Sequence, residues 1–406
     1  MRTRQAARFF PAAVMLAISA LTSLSTVHAG TAALEYQTQD LKFRNVNLQA
    51  RIPTGFALEI VNTDLDQPRL LTFAANGDLF VGSHRGKVYR LALPYAKAEV
   101  LVSLNGYPHN VAFRQGEILI AQTDGLYRAP YQPGQAKIAS QDVVLLAALP
   151  SGGHSSRTVH IGADGRVYLS LGISGNCSDE YIGGAYPFQK QRGGVMVLDE
   201  SAAKPTWKPF ASGLRNPVDF AWRPGSNAMY AANNGPDHWG YDLPPEVFRR
   251  LDPGSFHGMP WFQFDGNTIK RDDCVSSQPP RPLTDVTPPA ATFPARNAPM
   301  GVAFVPEGAL VPPLVGDAIV ALHGSWGTQP DGGAGGDPAS RRTPKLVAVR
   351  FDGDKAVRVD DLVSGFQIDD GRRWARPTGV AIGPDGALYF ASDEGINGLF
   401  RLQRAN

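Results

Sequence analysis

The chain has only two cysteines in 406 residues, Cys177 and Cys274, and few methionines. The cysteines' separation of 97 residues does not suggest a metal site, and two thiols without a clustered His are poor zinc candidates. Charge of one sign is not in excess: 39 Lys+Arg stand against 37 Asp+Glu. A nucleic-acid binder would show a basic surplus or a dense basic patch, and none is present. After the first 29 residues no apolar run reaches the roughly 20 residues of a membrane span. The sequence also has no GxGxxG, Walker loop, GxSxG, HExxH or CxxCH, which leaves a nicotinamide dehydrogenase, a P-loop enzyme, a zincin and a c-type cytochrome without support. Regular long helices are missing too.

Glycine and proline are plentiful instead, with 43 Gly and 33 Pro. This marks a turn-rich chain that is still too apolar for disorder. Residues 1–29 have the pattern of a secretory signal peptide. Arg2, Arg4 and Arg8 precede a short apolar stretch from Phe9 to Leu24, and Val27-His28-Ala29 ends it. The mature chain is then expected from residue 30 to 406 as one domain, located in the periplasm or secreted, with no membrane span. Removing the three arginines takes the formal charge from +2 to −1. Export permits a Cys177–Cys274 disulfide.

One motif recurs six times. LLTFAANGDLFVG at 70–82, VAFRQGEILIA at 111–121, VHIGADGRVYLS at 159–170, VDFAWRPGSNAMYA at 218–231, VAFVPEGALVPPLVGDAIVA at 302–321 and VAIGPDGALYFA at 380–391 each read strand, tight turn, strand. A third strand follows most of them, as in GKVYRL at 86–91 and GLFRL at 398–402. Six repeated antiparallel units predict an all-β, six-bladed β-propeller of four-stranded antiparallel blades. FALEIV at 56–61 is the candidate for the outer strand that closes the ring with the last blade. A β-sandwich is the alternative architecture. Insertions at 171–192, 232–245, 252–299 and 322–344 follow second strands or separate units. The Gly-rich tract 327–342 reads as a mobile surface loop.

Basic residues recur just before the inner hairpins: Arg69, His109, His154, Arg215 and Arg376. In a propeller these positions approach one axis and form a basic funnel for an anionic ligand. His154 sits in the Gly/Ser loop of SGGHSSRTVHIG, where an imidazole can act as a general base. Arg157 reads as its neighbour or as a surface charge, and His160 as structural. Arg215-Asn216 offers directed donors to a carboxylate or a quinone oxygen. In AANNGPDHWGYDLPPE at 231–246, Gly235-Pro236 can present carbonyls to Ca²⁺, with Asp237 and Asp242 as further oxygens.

The ordered set GGHSSRTVHIGADGRVYLSLG, SGLRNPVDFAW, NNGPD, HGSW and RPTGVAIGPDGALYF resembles the soluble glucose/sorbosone dehydrogenases that use pyrroloquinoline quinone (PQQ), over roughly residues 50–402. The resemblance implies that His154 and Arg215 are catalytic. His154 would take the C1 hydroxyl proton while hydride passes to PQQ. Arg215 and Asn216 would contact the quinone oxygens, and Arg69, His109, His323, Lys345 and Arg376 would complete cofactor binding, with Arg342 competing for the place of Lys345. Gly235 and Pro236 would hold Ca²⁺. The implied reaction oxidises an aldose or a hydrated, sorbosone-like aldehyde to a lactone or acid. Electrons would go to an external quinone or cytochrome. A Ca²⁺-dependent propeller lactonase and a non-catalytic binding propeller remain as alternatives.

Overall fold

A computed structural model describes residues 33–405; the signal-peptide segment lies outside the described residues. The six repeated hairpins are the inner halves of six blades. Their inner strands are Pro68–Phe73, Asn110–Arg114, Arg157–Ile161, Asn216–Trp222, Pro299–Phe304 and Pro377–Ile382, for blades 1 to 6. Each inner strand contacts the next, and the sixth returns to the first, so the ring is closed. Blades 1, 2, 4, 5 and 6 are four-stranded and antiparallel. Blade 3 carries a fifth strand, Ser255–Phe256, which runs parallel to Thr206–Ser212.

Blade 6 takes its outer strand from the other end of the chain. Phe56–Asn62 pairs with Gly398–Arg404, with Leu58 opposite Leu402. This joins the two chain ends in one sheet, as FALEIV suggested. The hairpin Tyr36–Phe43 and Val46–Pro53, not foreseen from the repeat pattern, packs its Leu48, Ala50 and Ile52 into the core shared with blades 5 and 6.

The inner strands are stitched by short polar side chains that bond the neighbouring blade's backbone. Thr72 Oγ1 donates to Val111 O at 2.8 Å. Asn110 both donates to Val159 O at 3.0 Å and accepts from Val159 N at 2.8 Å. Thr158 Oγ1 donates to Val218 O, Asp219 Oδ2 accepts from Val302 N at 2.8 Å, and Thr378 Oγ1 donates to Pro68 O at 3.1 Å. Each of these polar side chains is satisfied by the neighbouring blade, which ties adjacent inner strands together. At Gly301 and Gly379 a Cβ would come within 2.7 Å of Thr378 O and 2.5 Å of Arg69 O, so only glycine lets those strands approach.

Apolar side chains of facing sheets fill the spaces between blades. Tyr168, Val195, Val197, Phe210, Phe220 and Met229, for instance, pack blade 3 on blade 4. The tract 327–342 is folded rather than loose. It contains a short turn, Pro338–Ser340, capped by Asp337, and Tyr241 Oη donates to Ser340 O.

Candidate functional site

All six inner strands begin at the same end, and the long second-to-third-strand loops emerge there. His154 and Arg215 meet at that end. Ile173 N donates to Arg215 O at 2.8 Å, and Ile173 O accepts from His154 Nδ1 at 2.6 Å. A Cβ on Gly172 would lie 2.6 Å from Asn216 Oδ1 and 2.9 Å from His154 Cβ, so His154, Gly172 and Asn216 share one corner.

The bond to Ile173 O places the His154 proton on Nδ1 and leaves Nε2 with a free lone pair. Burial, then the nearby Arg215 charge, lower its pKa to about 4, which keeps the ring neutral near pH 7. The loop carrying it is clamped from below. Arg157 is not a surface charge: it is completely buried and donates to His154 O at 2.5 Å, Ser156 O at 2.8 Å and Pro150 O at 3.1 Å. Arg192 does the same for Gly152 O at 3.1 Å and for Ser151 O.

Arg215 is held by Asn176, with Nε 2.9 Å from its backbone oxygen and Nη2 3.0 Å from its Oδ1. The same Oδ1 accepts from Asp237 N at 2.8 Å. Asn176 is anchored in turn by its neighbour, because Cys177 is disulfide-bonded to Cys274 with the Cα atoms 6.1 Å apart. The Asp237 carboxylate pairs with Arg296 and lies 3.9 Å from Arg215. Asp242 pairs with Arg342 at 2.6 Å. Neither carboxylate is therefore a ready calcium ligand.

Gly235 and Pro236 sit beside Arg215. Glu246 accepts from Gly235 N at 2.5 Å and from Ala298 N at 3.3 Å, which fixes the turn; burial raises this carboxyl to about 7. Among the described residues, neither the Gly235 nor the Pro236 carbonyl accepts a hydrogen bond, and the adjacent Asn234 Oδ1 is buried without a partner. Three neighbouring hard oxygens without donors suit Ca²⁺.

On the other side of the axis, Asp393 joins two expected residues. Arg69 Nη1 lies 2.8 Å from its Oδ2, and His323 Nε2 donates to its Oδ1 at 2.8 Å. Arg376 donates to His323 O at 2.9 Å and to Glu394 Oε2 at 3.1 Å. Burial lowers His323 to about 4, so it is neutral and adds no charge. Arg69 Nε is buried without a partner. Arg69 and Arg376 thus lie close to one another around His323 and Asp393, and both come with carboxylates.

Two expected contacts fall away. Lys345 points outward, with Nζ 2.7 Å from Asp361 on the outer strand of blade 5, because it begins a third strand rather than an inner one. His109 is fully buried in the wall, its Nδ1 3.2 Å from Arg157 O and 3.1 Å from Thr158 Oγ1. His160 is structural, paired with Asp219 at 2.9 Å. Sequence reasoning missed Asn176, Glu246, Arg296 and Asp393; only Asn176, beside Cys177, carried a signal. The grouping His238–Asp272–Cys274 is no metal centre, since Cys274 is in the disulfide and His238 pairs with Asp272 at 3.0 Å. The open grooves of about 540 and 660 Å³ lie by the opposite-end turns and the N-terminal hairpin, and carry none of these residues.

A family model for TrAA12-like proteins matches residues 50–255, half of the chain. The chain belongs to the TrAA12-like family. Among solved structures it is similar to the calcium structure of Trichoderma reesei carbohydrate-active enzymes family AA12, at 18% identity with 92% of this chain and 99% of that one covered and a TM-score of 0.70. It is similar also to the holo form of the PQQ domain of pyranose dehydrogenase from Coprinopsis cinerea, at 19% identity, 88% and 97% coverage and a TM-score of 0.66. A Borreliella burgdorferi relative, described as an uncharacterized protein, is 22% identical over 400 residues, covering 94% of this chain and 96% of its own. These likenesses show the fold alone, the β-propeller described above.

Proposed function

We propose that this chain is a PQQ- and Ca²⁺-dependent dehydrogenase acting on the C1 hydroxyl of an aldose or a hydrated aldehyde, exported to the periplasm or beyond. The observation that carries this reading is the pairing of a neutral His154, Nε2 free, with an Arg215 fixed by Asn176. The names of the similar structures, a PQQ domain and a calcium form, point the same way.

PQQ, when bound, supplies a two-electron quinone acceptor. Arg69, Arg215, Asn216 and Arg376 are the residues to hold this planar tri-acid, and the orphaned Arg69 Nε fits such an acceptor-rich ligand. Gly235 and Pro236 would hold Ca²⁺, with Asn234 Oδ1 beside them. His154 Nε2 takes the proton of the sugar hydroxyl, and the Ile173 carbonyl steadies the imidazolium that results. Arg215 places a fixed positive charge where negative charge grows, and Asn176 spares it any reorganisation. The sugar loses two electrons and two protons and leaves as a lactone or acid, and the electrons pass to an external quinone or cytochrome.

A lactonase would need free carboxylates around a metal. Here Asp237 is taken by Arg296, Asp393 by Arg69 and His323, and Glu246 by two backbone N–H groups, which favours the oxidoreductase. The test loads purified protein with PQQ and Ca²⁺ and screens aldoses and aldehydes with a dye acceptor. Dye reduction that depends on sugar, PQQ and Ca²⁺ is expected. PQQ binding without turnover of any sugar or aldehyde would overturn the substrate class.

A further inference from the structure

Arg215 and Gly235 also line a small cavity. It leaves about 10 Å³ for the centre of a water-sized particle. Arg249 and His257 line it, together with Met259 and Gln263. Both polar residues are almost wholly buried, at 5% and 2% exposure. Arg249 Nε and His257 Nδ1 have no hydrogen-bond partner.

Local bonds fix what these atoms offer. Asp252 N donates to Ser255 Oγ at 3.3 Å, and Ser255 Oγ lies 3.0 Å from His257 Nε2. The serine therefore has its own proton to give to Nε2, and the imidazole proton sits on Nδ1. Burial, with Arg249 and Arg281 nearby, keeps His257 neutral. Two residues that line one cavity thus each carry a buried N–H donor without an acceptor.

The charge balance is equally one-sided. Arg249 donates to Thr287 O at 2.6 Å, and among the described residues no carboxylate offsets the burial that lowers its pKa to about 10. A buried guanidinium without a counter-charge is costly, and an ion that supplies one recovers much of that cost. Arg350 and Arg296 are buried with carboxylates, Asp317 at 2.6 Å and Asp237, whereas Arg157, which like Arg249 has no ion pair among the described residues, is held by three backbone carbonyls against the single one that holds Arg249.

We infer that this cavity binds a small monovalent anion of halide size between Arg249 Nε and His257 Nδ1. The anion ties the third strand of blade 4, which carries Arg249, to the insertion that carries His257, beside Arg215. The site is independent of the redox reading, and its readout is not activity.

The test uses the whole mature chain in halide-free gluconate buffer. Chloride or bromide is titrated in at constant ionic strength, and the unfolding midpoint is followed. A saturable rise of about 2 °C or more is expected. Crystals exchanged into bromide should show an anomalous peak in the cavity. Arg249→Met should abolish both the rise and the peak, and His257→Gln, which keeps a donor and threatens folding less, should weaken halide binding without abolishing it. Ordinary water density with no bromide signal would overturn the inference. So would a saturable halide effect that survives in Arg249→Met.

Discussion

The loop-bearing end of the ring holds its cations in two different ways. Around blades 3 and 4, arginines are held largely by uncharged oxygens: Arg157 by three backbone carbonyls, Arg215 by Asn176. Around blades 6 and 1, Arg69 and Arg376 are held by Asp393 and Glu394. Carbonyl partners orient a guanidinium and leave its charge in place, whereas carboxylates cancel it. Uncancelled charge belongs where charge develops in a reaction; cancelled charge belongs where a ligand is only gripped. Under the proposed function, the first arc would carry the chemistry and the second the anchoring.

Breaking the first arc should have the largest effect. His154→Gln is expected to lower turnover by about 10²–10⁴-fold while PQQ still binds. Stopped turnover measurements alongside a cofactor titration separate the two quantities, and equal loss of both would blur the division. Arg215→Met should lower turnover by about 10²–10³-fold and also weaken PQQ, because the residue touches both tasks. Asp393→Asn tests the second arc. It frees Arg69 and His323 from their common partner, so PQQ affinity should change by about tenfold while turnover at saturating PQQ stays nearly constant. A fall in saturated turnover comparable to that of His154→Gln would assign chemistry to both arcs.

Acidification sharpens the comparison less strongly. His154 is the base only while neutral, so turnover should hold from neutral pH downward and fall as pH drops through about 4. His154 and His323 both have folded pKa values below the ordinary 6.5. Between about 4 and 6.5 these two imidazoles bind more protons in the unfolded chain, so their contribution is full above that window and declines as pH falls through it, while Glu246, raised to about 7 in the folded chain, opposes that slope. Denaturant titrations at several pH values would show this slope. The smallest effect belongs to Lys345→Ala. With Nζ on Asp361, outside both arcs, it should change turnover and PQQ affinity by less than about twofold.

Much of this was legible in the chain itself. The hairpin repeat with Asn76-Gly77, Asp164-Gly165 and Asp385-Gly386 turns determines the blades, and FALEIV the closure, because both are local patterns of period two. Basic residues ahead of inner strands marked the axis for the same reason: a propeller converts equal positions in a repeat into neighbours. Lys345 failed that logic because it heads a third strand, and His109 because burial in the wall depends on how tightly blades 2 and 3 pack. Asp393 and Arg296 were invisible because their partners lie 50 or more residues away, so no spacing records them, and Glu246 because one of its two backbone partners, Ala298, lies as far. The residue type of His323 does not reveal its charge state; its burial keeps it neutral.

The most direct measurement mixes PQQ- and Ca²⁺-loaded protein with sugar in the absence of any acceptor and follows the quinone absorption over a single turnover. The account predicts full reduction in the wild-type chain and the same amplitude at least about 100-fold more slowly in His154→Gln. Reduction of the variant at the wild-type rate, or failure of the wild-type chain to take up PQQ at all, would contradict it.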